Sequence, residues 1–510
     1  MNRPLRMGSA AAVVAGSVLL SRLLGLARET LLASLIGVNV DGDLYRQAFT
    51  IPDFLNYLLA GAYLTITLIP ILSRHLERGD EEGANRAFTS VFRFVIIAII
   101  GLTVVMWVAA DPLVSLMFPE ASDHARLVSL TRLVLPAQVF LVAGALLMAV
   151  QYTHRRFVVP ALAPIVYNLG IIAGGLVSAL LGEATPEGFL WGAVIGSAIG
   201  NFALQWFGSR STGTRLVPVP RGQSSVGEYL VLALPLMVGQ SIAVLDEQFV
   251  RWFGQVEEGA TSALSFARQL NMVPVGVIAQ AAGVAAYPFL ARLAARGDNE
   301  GLAATTSKAA RDTVFVAAGS AAGLLVLARP MVRLLYQWGA FTAADAELVT
   351  RLLMIYALSI PAWGLHQILS RHFYAKRRMW TPVLIGTAGT VIAIPVWSVL
   401  YSVSGVEGFA IASVIVMSAY AVALLVAWGT DSGWQSVREV TVSLVRAMLA
   451  AGVAVLLALP VVNAVFGQGQ LTFLGGLGAA VIGGLTALAG FLVVSYLLRA
   501  PELKEITGRG

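Results

Sequence analysis

Fourteen stretches of about twenty or more mainly apolar residues follow one another along this chain, parted by short polar gaps. A stretch of that length crosses the roughly 30 Å hydrocarbon core of a bilayer as a helix rising about 1.5 Å per residue. The stretches run over residues 8–36, 45–72, 86–110, 124–150, 158–181, 187–208, 227–253, 260–291, 302–328, 344–370, 380–402, 406–428, 438–463 and 470–498. Charged residues make up 12% of the chain and mean hydropathy is +0.79. A soluble domain carries about twice that share of charge. The expected class is an all-α integral membrane protein with 14 transmembrane helices.

Where the charges fall gives an orientation. Numbered in order, the even gaps between stretches hold Arg74 and Arg78, Arg155 and Arg156, Arg210 and Arg215, Arg292 and Arg296, Arg377 and Arg378, and Arg438. Odd gaps such as GEATPEG at Gly182 are nearly free of Lys and Arg, with Arg329 and Arg333 the exceptions. Positive residues stay on the cytoplasmic side, so an even number of spans places both termini there. The net charge of +6 follows the membrane and does not signal nucleic acid. The absence of cysteine excludes disulfides, thiolate metal sites and a cysteine nucleophile, and the five histidines lie singly. Arg3 and Arg6 before an apolar run resemble a signal peptide, but without a small-x-small cleavage pattern the run is expected to stay as the first span.

The chain also repeats itself. PILSRHLERGDEEG at Pro70 returns as PFLARLAARGDNEG at Pro288, and Tyr152, Arg155, Arg156 and Pro160 return as Tyr374, Arg377, Arg378 and Pro382. Glu187-Gly188-Phe189 returns as Glu407-Gly408-Phe409. The repeat unit is six spans. An even number makes the two copies enter from the same side, so they are expected to be parallel six-helix bundles related by a pseudo-twofold axis along the membrane normal. The expected domains are residues 1–220, 221–430 as the repeat, and 431–510 as two additional helices.

Ionisable groups at bilayer depth are costly and face a cavity or a partner by default. In the first span, Ser21, Arg22, Gly25, Arg28 and Glu29 fall within a helical sector of about 120°. Guanidinium groups on such a stripe suit a pyrophosphate or a carboxylate, which they grip in bidentate fashion. Snorkelling of an arginine and a structural Arg28–Glu29 lock are the plainer readings. Arg268, early in the eighth span, either completes an anion site or anchors at the interface. Asp246 and Glu247 lie inside the seventh span, where one acid could bind a coupling cation or pair with Arg251. Asp43, in the loop before the second span, reads from its setting as a solvated turn residue.

These motifs resemble the MurJ/MviN family, the lipid II flippases of the multidrug/oligosaccharidyl-lipid/polysaccharide exporter superfamily. The resemblance covers essentially the whole chain. It is carried by SRLLGLARE at Ser21, DGDLYRQAFTIPDFL at Asp41, RRFVVPALAPIVYNL at Arg155, LLYQWGAFTAADAELVTRLLMIYAL at Leu334, FYAKRRMWTPV at Phe373 and GVEGFAIASV at Gly405. It implies that Arg22, Arg28 and Arg268 line a central cavity and engage a lipid-linked headgroup, with Ser21, Gly25 and Glu29 in the same motif. It implies a gating position for Asp43 and a groove for the polyprenyl tail along the last two spans. The chain departs from the family at Asn56 and Tyr57, near the place of a frequent further arginine. It departs again at Ala393 and Trp397, where sodium-binding members need polar groups beside an acid such as Asp246.

The expected function is translocation of lipid II, an undecaprenyl-pyrophosphate-linked peptidoglycan precursor, to the outer leaflet of the bacterial cytoplasmic membrane by alternating access. No enzymatic step and no cofactor are expected. Membrane potential or a cation is left to drive transport, with sodium disfavoured. The expected partners are the lipid-linked precursor, membrane lipids and cell wall synthesis proteins, around a monomer. The alternatives are a flippase for another polyprenyl-linked saccharide, a cation-coupled multidrug exporter of the same superfamily, and a membrane glycosyltransferase or lipid phosphatase.

Overall fold

A computed structural model describes residues 7–58, 61–238, 242–280, 286–466 and 473–506. Within them the side chains of residues 7–15, 57–58, 61–64, 66, 234–238, 242–247, 280, 465–466, 473–474 and 504–506 lie outside the description. The described residues are helical throughout, with turns between the helices and no strand. Each predicted apolar stretch is occupied by helix wherever it is described. Among the described residues, seven helices are long and apolar enough by themselves to cross a membrane, and a bent pair, Ala343–Ala357 with Ile360–Ala375, makes an eighth.

Two places depart from a single straight helix. The second stretch turns at Phe49, between the helices Val40–Ala48 and Thr50–Leu58. The eleventh and twelfth form one run, Trp380–Ser432, that leaves helical geometry at Ser404 and Gly405. Gly405 sits there at φ +55°, in the left-handed region that a side chain disfavours.

The chain divides into two compact units. The first comprises residues 1–240 with the returning segment Gly254–Ser262, and the second comprises Ser241–Phe253 with residues 263–510. In the first, Met7–Leu35 packs on Val158–Leu180, which in turn packs closely on Pro186–Gly196. The closeness depends on Gly192, where a methyl group would collide with the Gly170 carbonyl. Small residues let helix backbones meet in this way where no water drives them together. Phe88, Leu146, Leu147 and Tyr229 fill a second core of the same unit.

In the second unit the long helix Asn299–Tyr336 packs against Ile360–Ala375, Trp434–Phe466 and Phe473–Leu497. Ala447, Ala450, Ala451 and Ala454 recur at helical spacing and receive Phe315 and Phe491. The last two long helices are therefore built onto this unit by an alanine stripe.

The repeated sequence has repeated geometry. Asp80 and Asp298 each cap a helix by accepting from Gly83 N and Gly301 N, both at 2.8 Å. Gly79 and Gly297 precede them at the same φ of +71°. Arg155 and Arg377 both take positive φ, 55° and 58°. The next residue in each copy closes the turn the same way, Arg156 N to Gln151 O and Arg378 N to Phe373 O, both at 2.8 Å.

Candidate functional site

The polar stripe of the first helix is partly buried inside the first unit. Glu29 is 4% exposed and accepts from two arginines. Arg28 Nη2 donates to Glu29 Oε1 at 2.8 Å, and Arg46 Nη2 donates to Oε2 at 2.9 Å. Arg28 also donates through Nη1 to Asn168 Oδ1 at 3.2 Å. The Asn168 amide is turned toward it because its own Nδ2 donates to the Pro164 carbonyl at 2.9 Å. Arg28 Nε is buried with no hydrogen-bond partner, and 23% of the Arg28 side chain remains accessible.

Arg46 was not among the expected site residues. It stands on the short helix Val40–Ala48, three residues after Asp43, and that helix is held by Tyr45, whose ring meets Phe189 edge-on at 5.9 Å. No local signal in the sequence pointed to it, since its partner Glu29 lies 17 residues away. Arg22 is separate from this cluster. It is exposed, and no hydrogen bond or ion pair holds it among the described residues. Ser21 and Gly25 are half-buried, and a side chain at Gly25 would meet nothing within 4 Å, so that part of the stripe is open.

Asp43 is not the solvated turn residue its loop suggested. It is 5% exposed, and its two carboxylate oxygens accept from Gly259 N at 2.8 Å and Ser262 N at 2.7 Å. Gln47, one turn on, donates to Thr261 Oγ1 at 3.2 Å. The chain can turn here because Gly259 takes φ +79° beside Val38. The same end of the unit is tied by Arg126, which donates to Asp41 at 2.6 Å and to both oxygens of Glu187 at 3.0 and 3.2 Å.

Arg268 belongs to the second unit. It lines a small cavity there of about 30 Å³ with Asn271, Tyr356, Ser359, Trp363 and Trp397. Asn271 is 1% exposed, and its Oδ1 has no hydrogen-bond partner. Trp397 donates from Nε1 to Ser413 Oγ at 3.1 Å and stacks on Phe409 at 16°. The Phe249 and Trp397 ring centroids lie 4.6 Å apart. The side chains of Asp246 and Glu247 lie outside the described residues. Among the described residues no group of three or more His, Asp or Glu could hold a metal ion.

The second unit has its own charge cluster, at the end of its sixth span. Asp431 accepts from His372 Nε2 at 3.0 Å, from Lys376 Nζ at 2.7 and 2.8 Å, and from Arg378 Nη1 at 2.9 Å. Burial pushes the Asp431 carboxyl up, but the hydrogen bonds from His372 and Lys376 outweigh it and hold the group below the usual carboxylate range. Burial also keeps His372 below its ordinary value. A neutral ring facing this carboxylate must carry its proton on Nε2.

Comparison with known proteins bears on the whole chain. The family profile described as lipid II flippase MurJ matches residues 32–475. A probable lipid II flippase MurJ of Rhizobium tropici is 26% identical over 508 residues, covering 97% of this chain and 94% of that protein. The lipid II flippase MurJ of Burkholderia cenocepacia is 26% identical over 395 residues, covering 74% of this chain and 75% of that protein. Among solved structures, a lipid II flippase MurJ in an inward closed conformation superposes with a TM-score of 0.75 at 22% identity, covering 96% of this chain and 99% of that one. An inward-facing multidrug resistance MATE family transporter of the MOP superfamily superposes at 0.64 with 16% identity, covering 83% and 95%. At such identities the superpositions speak for the fold alone.

Proposed function

The chain belongs to the lipid II flippase MurJ family, and from that premise we propose that it carries lipid II across the bacterial inner membrane by alternating access, with the Arg28–Glu29–Arg46 cluster as part of the anion-binding surface. The observation that carries the reading is the accessible part of Arg28. A mid-bilayer arginine costs about 2.5–3.5 kcal/mol on insertion scales. An accessible Arg28 with its Nε unpartnered, and Arg22 open on the same helix, suit a diphosphate. The prenyl tail stays in lipid throughout, so only the headgroup needs a polar path.

In this reading the fourteen stretches are transmembrane helices with both termini in the cytoplasm. Residues 1–220 and 221–430 are duplicated bundles related by a pseudo-twofold axis, followed by the extra pair in 431–510. Arg268 supplies a second cationic group from the other bundle. Asp43 is a gating residue: its clasp on Gly259 and Ser262 forms and breaks as the outer side closes and opens. The membrane potential, acting on a cationic cavity, drives transport better than sodium does, since Ala393 and Trp397 stand where sodium-binding members need polar groups. Asp246 remains the candidate for another coupling cation. The protein works as a monomer alongside cell wall synthesis enzymes.

The test is flipping of lipid II in reconstituted vesicles. Arg28→Ala is expected to insert and run as a folded monomer, with translocation lost. Normal flipping by that variant would remove the anion-site assignment.

A further inference from the structure

The second unit contains a polar cavity of about 300 Å³ that none of the transport residues touches. It lies where the helices Asn299–Tyr336 and Trp434–Phe466 meet the short segment Pro501–Ile506. Three arginines line it: Arg311 from the first, Arg438 and Arg446 from the second. None of the three has an ion-pair partner among the described residues, and Arg311 Nε is buried without a hydrogen bond. The two acids in the lining are already engaged. Glu439 accepts from Ser307 Oγ at 3.0 Å, and buried Glu502 accepts from Ser443 Oγ at 2.8 Å. Three cations against two carboxylates leave one positive charge, which one phosphodiester would neutralise.

The position selects the source of that phosphodiester. Arg446 follows Arg438 by eight residues, about 12 Å along the helix, well inside an apolar span. An arginine there is held by a partner or reaches back toward the phosphate plane. Between and beyond the two arginines the same helix exposes Val442, Val445, Met448 and Leu449, and Trp434 is exposed at its start. A lipid whose phosphate sits among the guanidinium groups would lay its chains along this apolar strip, and a soluble anion would leave the strip unused. Tryptophan at the head of such a helix marks the interface level.

We propose that the cavity formed by Arg311, Arg438 and Arg446 binds the phosphodiester headgroup of an anionic membrane lipid. Bound there, the lipid would bridge the first helix of the C-terminal pair to the long helix Asn299–Tyr336. Guanidinium pairs match phosphate oxygens bidentately, and basic pockets between membrane helices take anionic headgroups by this chemistry.

The experiment is native mass spectrometry of the full chain in detergent, titrated with diacyl phosphatidylglycerol, diacyl phosphatidylcholine or inorganic phosphate. The wild type is expected to retain one phosphatidylglycerol with highest affinity, and to hold phosphatidylcholine and phosphate far more weakly. R438Q/R446Q changes two exposed side chains and is expected to weaken that step roughly tenfold or more. R292Q/R296Q, at an exposed basic turn elsewhere, should leave it unchanged. Should the double variant fail to fold, R446Q alone carries the test, with about a fivefold loss expected. Equal retention of phosphatidylcholine, an unaltered R438Q/R446Q, or an equal loss in R292Q/R296Q would overturn the proposal. Inorganic phosphate that displaces phosphatidylglycerol at similar concentration would reassign the site to a soluble anion and overturn it as well.

Discussion

The two compact units turn their chains alike and carry their charge differently. Around Asp80 and Asp298 the capping bonds and backbone angles coincide, and the turns at Arg155 and Arg377 coincide as well. Inside, the resemblance ends. The first unit gathers Arg28 and Arg46 around buried Glu29, while the second places its densest cluster, His372, Lys376, Arg378 and Asp431, at the end of the helix Trp380–Ser432. Turns are fixed by local hydrogen bonds, which a duplicated sequence reproduces wherever it lands. A cluster inside the membrane carries a desolvation cost that packing alone gives no reason to keep.

That contrast can be broken at its strongest point first. Glu29→Ala would remove the carboxylate that Arg28 and Arg46 share, and removing one partner of a buried ion pair costs about 3–5 kcal/mol. A large drop in thermal stability is expected, with partial recovery when Arg46→Met is added. A stability loss below that of a surface substitution would mean that the charges are solvated after all.

Asp43→Asn is expected to cost less, about 1–3 kcal/mol, because the side chain keeps its shape and one amide N–H then faces an NH2 donor. Amide hydrogen exchange at Gly259 and Ser262 should accelerate in this variant while exchange at Gly301 stays as it was. Acceleration at both places would point to general loosening and not to the clasp.

The cluster of the second unit should show itself through pH. Asp431 titrates lower in the folded chain than in the unfolded one. Its contribution is therefore present above its unfolded value, near 3.9, and is lost as pH falls through the lower folded value. Thermal scans of the wild type should show a steep acid limb that Asp431→Asn makes shallower. An unchanged limb would remove Asp431 as a linkage site.

The smallest expected difference compares the ion pairs made by the repeated glutamates Glu187 and Glu407. Arg126 reaches Glu187 with two bonds and also holds Asp41, whereas Arg351 reaches Glu407 with one bond of 2.7 Å at a more exposed position. Double-mutant cycles should give about 0.2–1 kcal/mol for Arg351–Glu407, the usual worth of an exposed pair. A larger value is expected for Arg126–Glu187, and equal values would show that the extra partner adds nothing.

Much of this site was legible as a pattern of residues. The stripe from Ser21 to Glu29 follows from helical spacing, and Arg28 and Glu29 do meet. Arg46 and Asn168 were not legible, because they come from 17 and 140 positions away and nothing local marks them as partners. Asp43 was misjudged from its loop because burial by a segment more than 200 residues later leaves no trace near it. Arg446 escaped the charge count between spans because it lies within one.

By itself the sequence determined the class of solvent, the duplication and the family. Hydropathy, charge placement and repeated turns are sums over neighbouring residues, and each is complete without the fold. Only the tertiary structure decided which arginines share Glu29, what Asp43 grips and which guanidinium groups stand unpaired beside an apolar strip. Those outcomes depend on distances between residues far apart in the chain, set by how helices pack, and a carboxylate's role changes entirely with the two or three groups that packing brings within 3 Å.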